Sequence, residues 1–475
     1  MKRDNINRRN FLKKIGLGAT AVAATSALSS CGKGASTLLS PEGSHTLEVP
    51  KDKMTYRTSN VNGDKISILG YGCMRWPTKD NPNDPTKRVL DQERVNELID
   101  YALEHGINYF DTAPVYGMGQ SESVTGIALS RHPRESYRVA TKLSNQRIPA
   151  GLPPKETFRR SVEMYHNSMK ALQIDYIDYY LLHSIGGGRD SFATLNYRFF
   201  DNGVLDFLVE EKKAGRIRNL GFSFHGDVRI FDHMLKLHDE GKYRWDFVQI
   251  QMNYLDWRHA SNREENAEYL YNELTKRGIQ AIIMEPLLGG RLSNLPQYVI
   301  QRLKSQKPQD SVASWAFRWV GSFDNILTVL SGMTYMEHLQ DNIRTYSPLE
   351  KCSEADFEYL EETADIISKY PLIPCNDCEY CMPCPYGIDI PGVLLHYNKC
   401  VNEGNITQSV DDDNYKKARR AFLIGYDRSV PKLRQADHCI NCRKCIDHCP
   451  QRIEIPVQLR RISKYVDELR GDGVI

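Results

Sequence analysis

Eight short apolar runs alternate with amphipathic segments of helical period between residues 66 and 346, and this alternation leaves few folds open. The runs are Ile66–Gly72, Asn108–Asp111, Arg138–Lys142, Asp178–His183, Ile217–Ser223, Phe247–Gln251, Gln280–Met284 and Ile326–Leu330. Among the intervening segments, Gln92–His105 places Val95, Leu98, Ile99, Ala102 and Leu103 on one face, with Gly106 as its stop. Leu205–Ala214 ends at Gly215 in the same way. Repeated βα units over about 290 residues predict an α/β chain with a TIM (β/α)8 barrel. A doubly wound fold is the alternative, and the glycine fingerprint expected after its first strand is missing.

Three consecutive runs carry reactive groups where they end: Asp111, Lys142 and His183, with Tyr116 in the Pro- and Gly-marked loop after the first. The C-terminal ends of barrel strands form the mouth where barrel active sites sit. A phenol is a poor proton donor or base at neutral pH unless a nearby cation stabilises its anion. Lys142 is expected to supply that cation and Asp111 to hold it. Individually, each residue has a structural explanation: a turn cap, a snorkelling lysine, a packed histidine. In order, on successive strand ends, they point to proton transfer.

These residues, in Phe110-Asp111-Thr112-Ala113 with Tyr116, Thr141-Lys142 and Leu182-His183, resemble the aldo-keto reductases over roughly residues 54–346. The resemblance implies a barrel that exchanges hydride between NADP or NAD and a small carbonyl or alcohol. Tyr116 would be the general acid, Lys142 and Asp111 the charge pair beside it, and His183 the group orienting the carbonyl. It also implies nucleotide contacts from Gly72, Cys73 and Met74 after the first strand, and from Ser223 and Gln249 at the carboxamide. Met284, Leu287, Gly289 and Arg291 would lie along the ring and pyrophosphate, and Thr334, His338, Asp341 and Asn342 at the adenosine phosphate. Met284 stands where many relatives stack a tyrosine, and Phe224 replaces a common asparagine. Gly332 and His338 replace a Lys and an Arg, and a neutral imidazole does not reproduce a bidentate guanidinium.

Of twelve cysteines, nine fall between Cys375 and Cys449. Cys375, Cys378, Cys381 and Cys384 are spaced by two residues and followed by Pro385; Cys439, Cys442, Cys445 and Cys449 follow the bacterial ferredoxin spacing and precede Pro450. That spacing predicts two [4Fe-4S] clusters, one at minimum, in a small, mainly helical ferredoxin-like domain. Its fourth ligands are expected to cross over: Cys449 with the first three cysteines, and Cys384 with Cys439, Cys442 and Cys445. Tetrathiolate zinc is the rival reading. Cys400, Cys73 and Cys352 lack a partner pattern and read as packed thiols. A barrel joined to such a tail resembles a subgroup of the same family with a C-terminal ferredoxin-like extension.

Arg8-Arg9-Asn10-Phe11-Leu12-Lys13 before a mild apolar stretch resembles a twin-arginine export signal, and Leu28-Ser29-Ser30-Cys31 resembles a lipobox. The expected division is a signal at 1–31, a tether at 32–53, the barrel at 54–369 and the cluster domain at 370–475. The exported protein would lie in the periplasm or cell envelope, anchored through lipidated Cys31. Residues 1–31 hold six Lys/Arg against Asp4 while the whole chain is only +2, so the remainder is about −3, with no electrostatic reason to bind nucleic acid. The expected function is hydride exchange on a carbonyl or alcohol, coupled to or stabilised by the clusters, with a redox protein or membrane carrier as partner. An exported electron-transfer protein on an idle barrel is the alternative. Nucleotide is expected to be loaded before export and held tightly. Trp76, Trp257 and Trp319 are candidates for a sugar or aromatic site, against the commoner role of packing.

Overall fold

The computed structural model describes residues 48–187, 191–260, 266–407 and 409–471. The export signal, the Cys31 lipobox and most of the tether lie outside these residues.

Eight parallel strands close a barrel in chain order: β1 (Leu69–Gly72), β2 (Tyr109–Asp111), β3 (Arg138–Leu143), β4 (Ile177–Ile185), β5 (Ile217–Phe224), β6 (Phe247–Gln251), β7 (Gln280–Met284) and β8 (Ile326–Ser331). Pairing of Val329, Leu330 and Ser331 with Leu69, Gly70 and Tyr71 seals it. Ile66, Tyr109, Tyr179, Phe247, Ile282 and Leu327 share the apolar core that the strands carry between them. A larger core lies between strands and helices. Val95, Leu98, Ile99 and Ala102 of helix Gln92–Glu104 are buried there as their spacing predicts, with Leu103 at its edge.

Two strand readings need correction. The run Ile66–Gly72 is not one strand: Lys65–Ser67 pairs antiparallel with Tyr56–Thr58 as a separate hairpin, and the barrel begins at Leu69. Ile66 and Ile68 are both fully buried, so hydrophobicity runs unbroken across the boundary. His183 is not a strand end either. β4 runs on to Ile185 through a register break between Leu182 and Ile185, with Ser184 at φ 51°. A bulge of this kind re-aims a side chain next to a site.

Trp257, Trp319 and Phe323 form one ring cluster with centroids 4.8–5.4 Å apart. Trp76 stacks on Tyr71 and donates to Thr125. These tryptophans pack the fold.

A separate core running from Ile373 to Leu469 defines the C-terminal part. Helices Ile390–Asn402, Tyr415–Ser429 and Ile455–Gly471 enclose it, and the two cysteine runs lie in loops before the first and last of them. Cys400 is 2% exposed with its sulfur 3.4 Å from His396, a packed thiol as expected. Among the described residues no helix is long and apolar enough to cross a membrane.

Candidate active site

Asp111 ends β2 and Lys142 lies on the neighbouring β3, so the register Asp111↔Ala140 brings the two together. Lys142 Nζ lies 2.5 Å from Asp111 Oδ1 and 2.7 Å from the Thr112 carbonyl oxygen. Their side chains are 1% and 4% exposed. Burial pushes the Asp111 carboxyl up, and Lys142 pulls against it. The ion pair survives here because ammonium and carboxylate are both hydrogen-bonded, Asp111 Oδ2 also accepting from Gln249 at 3.4 Å.

Tyr116 begins a short turn, Tyr116–Gly119, in the loop after β2. The Lys142 ammonium lies 4.9 Å from its ring centroid, and the His183 ring stands edge-on at 5.9 Å. The expectation that Lys142 depresses the phenol's proton affinity does not hold in this arrangement. Burial, then the Asp111 charge, raise it well above the usual tyrosine range. Asp111 neutralises Lys142, so the pair presents little net positive charge to the phenol. Tyr116 is therefore held in its acid form.

Burial, then Lys142 and Arg198, push His183 well below the usual imidazole range, so the ring is neutral. Its Nδ1 shares a hydrogen bond with the Ser144 hydroxyl at 2.6 Å. Arg198, from the wide turn Asn196–Phe200, donates to the carbonyls of His183 and Ser184 and so fixes the bulge. No sequence signal marks Arg198, because the turn that turns it inward has no helical or strand period.

The residues that the resemblance assigns to nucleotide divide by what they touch. Ser223 accepts from the Ser184 N–H and so supports His183. Thr334 donates to the Arg75 carbonyl, Asp341 accepts from Ser311, and Asn342 donates to Ser331. His338 is pushed down by burial and lies against Tyr335. Gly72 closes on β8, with Ser331 backbone 3.3 Å from the position of a Cβ. Cys73 is fully buried near Asp111 and Lys142, with its thiol facing the Tyr71 carbonyl, so its side chain is packed. Met74 follows in the same short turn. Met284 closes β7, and its carbonyl accepts from Met252. The Leu287 carbonyl accepts from Gly290 and Leu292, which curls the loop so that Gly289 and Gly290 take φ 67° and 95°. Arg291 Nε is buried with no hydrogen-bond partner among the described residues.

The barrel mouth is not open. The first cysteine run reaches across it between Cys375 and Cys381. Tyr380 lies next to Tyr116, and its ring stands 6.4 Å from that of His183. Asn376, 2% exposed, donates to Glu285 Oε1 at 2.7 Å and packs so tightly on Gly289 that a Cβ there would lie 2.4 Å from the Asn376 carbonyl oxygen. Arg75 donates to the Asn376 carbonyl and pairs with Asp377 at 3.5 Å. Glu285, directly after Met284, sits at φ 57° with Oε2 lacking a hydrogen-bond partner among the described residues, and burial pushes its carboxyl up to about 7. None of these contacts is written in residue spacing: Asn376, Asp377 and Tyr380 look like filler between ligands.

The two cysteine runs share one backbone course. Asp377 and Glu379 flank Cys378 at φ 56° and 61°, and Asn441 and Arg443 flank Cys442 at φ 61° and 62°. Left-handed non-glycine residues are costly and persist where the surroundings demand them. Alternation of this kind turns successive N–H groups into a concave anion-binding nest. Cys449 is an electrostatic neighbour of Cys375, Cys378 and Cys381, and Cys384 is one of Cys445 together with Cys439 and Cys442. Cys445 neighbours Cys381 as well, so the two runs face each other. Among the described residues no three His, Cys, Asp or Glu side chains converge on a single metal ion. The thiols are free of disulfides. The donor set fits iron–sulfur clusters.

A closed eight-stranded barrel with Asp, Tyr, Lys and His at its mouth defines an oxidoreductase scaffold. Residues 68–365 match the aldo/keto reductase family and residues 374–454 the 4Fe-4S dicluster domain. The chain belongs to the aldo/keto reductase family and carries an iron–sulfur domain at its C-terminal side. It is 30% identical over 207 residues to "Protein tas" of Escherichia coli, 39% of this chain, and spans 57% of that relative's length. It is 27% identical over 339 residues to "Probable aldo-keto reductase 1" of Glycine max, covering 64% of this chain and 88% of the relative. To the "NADH-specific methylglyoxal reductase" of Escherichia coli it is 26% identical over 340 residues, covering 64% and 97%. In fold it is similar to an aldo-keto reductase of Bacillus halodurans in its holo form, with a TM-score of 0.50 at 23% identity, covering 65% of this chain and 96% of that one.

Proposed function

We propose that the chain interconverts a small carbonyl compound and its alcohol, with Tyr116 as general acid and base and NAD or NADP as hydride partner. One observation carries this reading: a protonated phenol, a neutral imidazole and a paired ammonium converge at the barrel mouth. The nucleotide would supply the hydride. Tyr116 gives its proton to the oxygen on which negative charge develops, and the neutral His183 ring orients that oxygen by hydrogen bonding. Lys142 stands beside the phenol ring, and Asp111 and Thr112 hold its ammonium in place. Nucleotide use is supported by family membership and by the relative named as NADH-specific. In the arrangement described, however, Asn376 and Tyr380 stand in the groove, so nucleotide fits only when that segment gives way.

The eight cysteines Cys375, Cys378, Cys381, Cys384, Cys439, Cys442, Cys445 and Cys449 would hold two [4Fe-4S] clusters with crossed fourth ligands, supported by the shared backbone course of the two runs. Bound clusters supply one-electron transfer and tie the loops together, and a redox protein or membrane carrier is the partner that suits them. Export by the twin-arginine route with a lipid anchor at Cys31 rests on the motifs of residues 1–31. Anaerobically purified protein, followed by NADH or NADPH consumption over a panel of aldehydes, ketones and sugars, tests the activity. Turnover of at least one carbonyl is expected; consumption of neither nucleotide with any of them contradicts it.

A further inference from the structure

We propose that Cys375–Cys381 is a lid over the barrel mouth, held shut by Tyr380, Asn376 and Asp377, and that nucleotide and substrate must displace it. The proposal rests on the reading of Tyr116 as the acid. An acid must lie within hydrogen-bond reach of the oxygen it protonates. Tyr380 stands beside His183, with ring centroids 6.4 Å apart, next to the Tyr116 ring, so its side chain and a substrate compete for the same space. Asn376 takes the second place. It lies against the left-handed Gly289, whose loop is the one suited to phosphate oxygens, and it is fastened there by Glu285. The third anchor is Arg75, which grips the Asn376 carbonyl and the Asp377 carboxylate from the loop after β1.

The three anchors reach the β1, β2 and β7 loops, so the segment bridges the mouth and does not merely brush its rim. Its ends are cysteines proposed as cluster ligands, so its shape is set by ligation and its docking by the barrel. A protein whose open state is only partly populated binds ligand more weakly by that fraction. Loss of one anchor is therefore expected to tighten nucleotide binding, by roughly fivefold if the anchor is a single ordinary polar contact. Nucleotide held tightly from before export, as the sequence suggested, is not what a closed lid would give.

The test uses full-length, cluster-loaded protein, with iron content and visible absorption matched between variants. NADH and NADPH are titrated against wild type, Tyr380→Ala and Asp377→Asn. The lid account expects both variants to bind at least one nucleotide several-fold more tightly; equal or weaker binding in both overturns it. Should the variants load clusters poorly, amide exchange on wild type decides. Saturating nucleotide should speed exchange within Cys375–Cys381 while slowing it in Leu287–Arg291, and slowed or unchanged exchange in the cysteine segment overturns the lid. If no form binds nucleotide, the nucleotide reading falls and the lid is judged by exchange in Ala113–Gly119. That exchange should rise in Tyr380→Ala, and an unchanged rate rejects the lid.

Discussion

Lys142 Nζ and Asp111 Oδ1 sit 2.5 Å apart with both side chains almost wholly out of water, and among the described residues each is the other's only compensating charge within hydrogen-bond distance. Removing one partner leaves a buried charge behind, which typically costs about 3–5 kcal/mol. Lys142→Ala and Asp111→Ala should each lower the denaturant midpoint by a corresponding amount. The double variant should be more stable than the sum of the two losses implies. Additive losses in denaturant titrations would show that the pair is not coupled.

The pH profile follows from His183 and Tyr116. Burial holds His183 well below the usual imidazole range and Tyr116 well above the usual phenol range. Between about pH 6 and 9, kcat/KM should show no inflection from either group. A group whose folded value is depressed contributes stability above its unfolded value and loses it as pH falls. His183 should therefore cost stability as pH drops below about 6.5. An inflection in kcat/KM near pH 6.5 that vanishes in His183→Asn would contradict this.

The proposed crossing of cysteine ligands makes a prediction that separate clusters do not. Cys449→Ser should lose the cluster held by Cys375, Cys378 and Cys381, and Cys384→Ser the other, each variant keeping about half of the iron. If Cys449→Ser instead perturbs the spectroscopic signal that is also lost in Cys439→Ser, each run ligates its own cluster and the crossing is wrong.

Much of the barrel was legible because it repeats. Alternation of apolar runs and helical faces located all eight barrel strands, and Asp111, Lys142 and Tyr116 followed from where runs ended. The first strand was misjudged because Ile66 and Ile68 are equally buried, so hydrophobicity does not distinguish the hairpin from the barrel wall. His183 lies beside Tyr116 but not at a strand end, since a bulge with Ser184 at φ 51° leaves no mark on periodicity. Cys73 carries no ligand spacing, and only the structure shows that its thiol is packed against the Tyr71 carbonyl. Tyr380, Asn376, Arg75 and Glu285 were invisible for a different reason. Their meaning lies in contacts between segments about 90 to 300 residues apart, and no local pattern encodes which spacer residue of a cysteine run meets a barrel loop.

The central claim is that Tyr116 is the proton donor, and its most direct test is turnover of a carbonyl substrate by Tyr116→Phe at matched iron content. The side chain keeps its ring and loses only the hydroxyl, so folding and the contact with His183 should persist. Loss of a positioned general acid typically costs about 10²- to 10⁴-fold. The account requires kcat to fall within that range; turnover undiminished from wild type would contradict it.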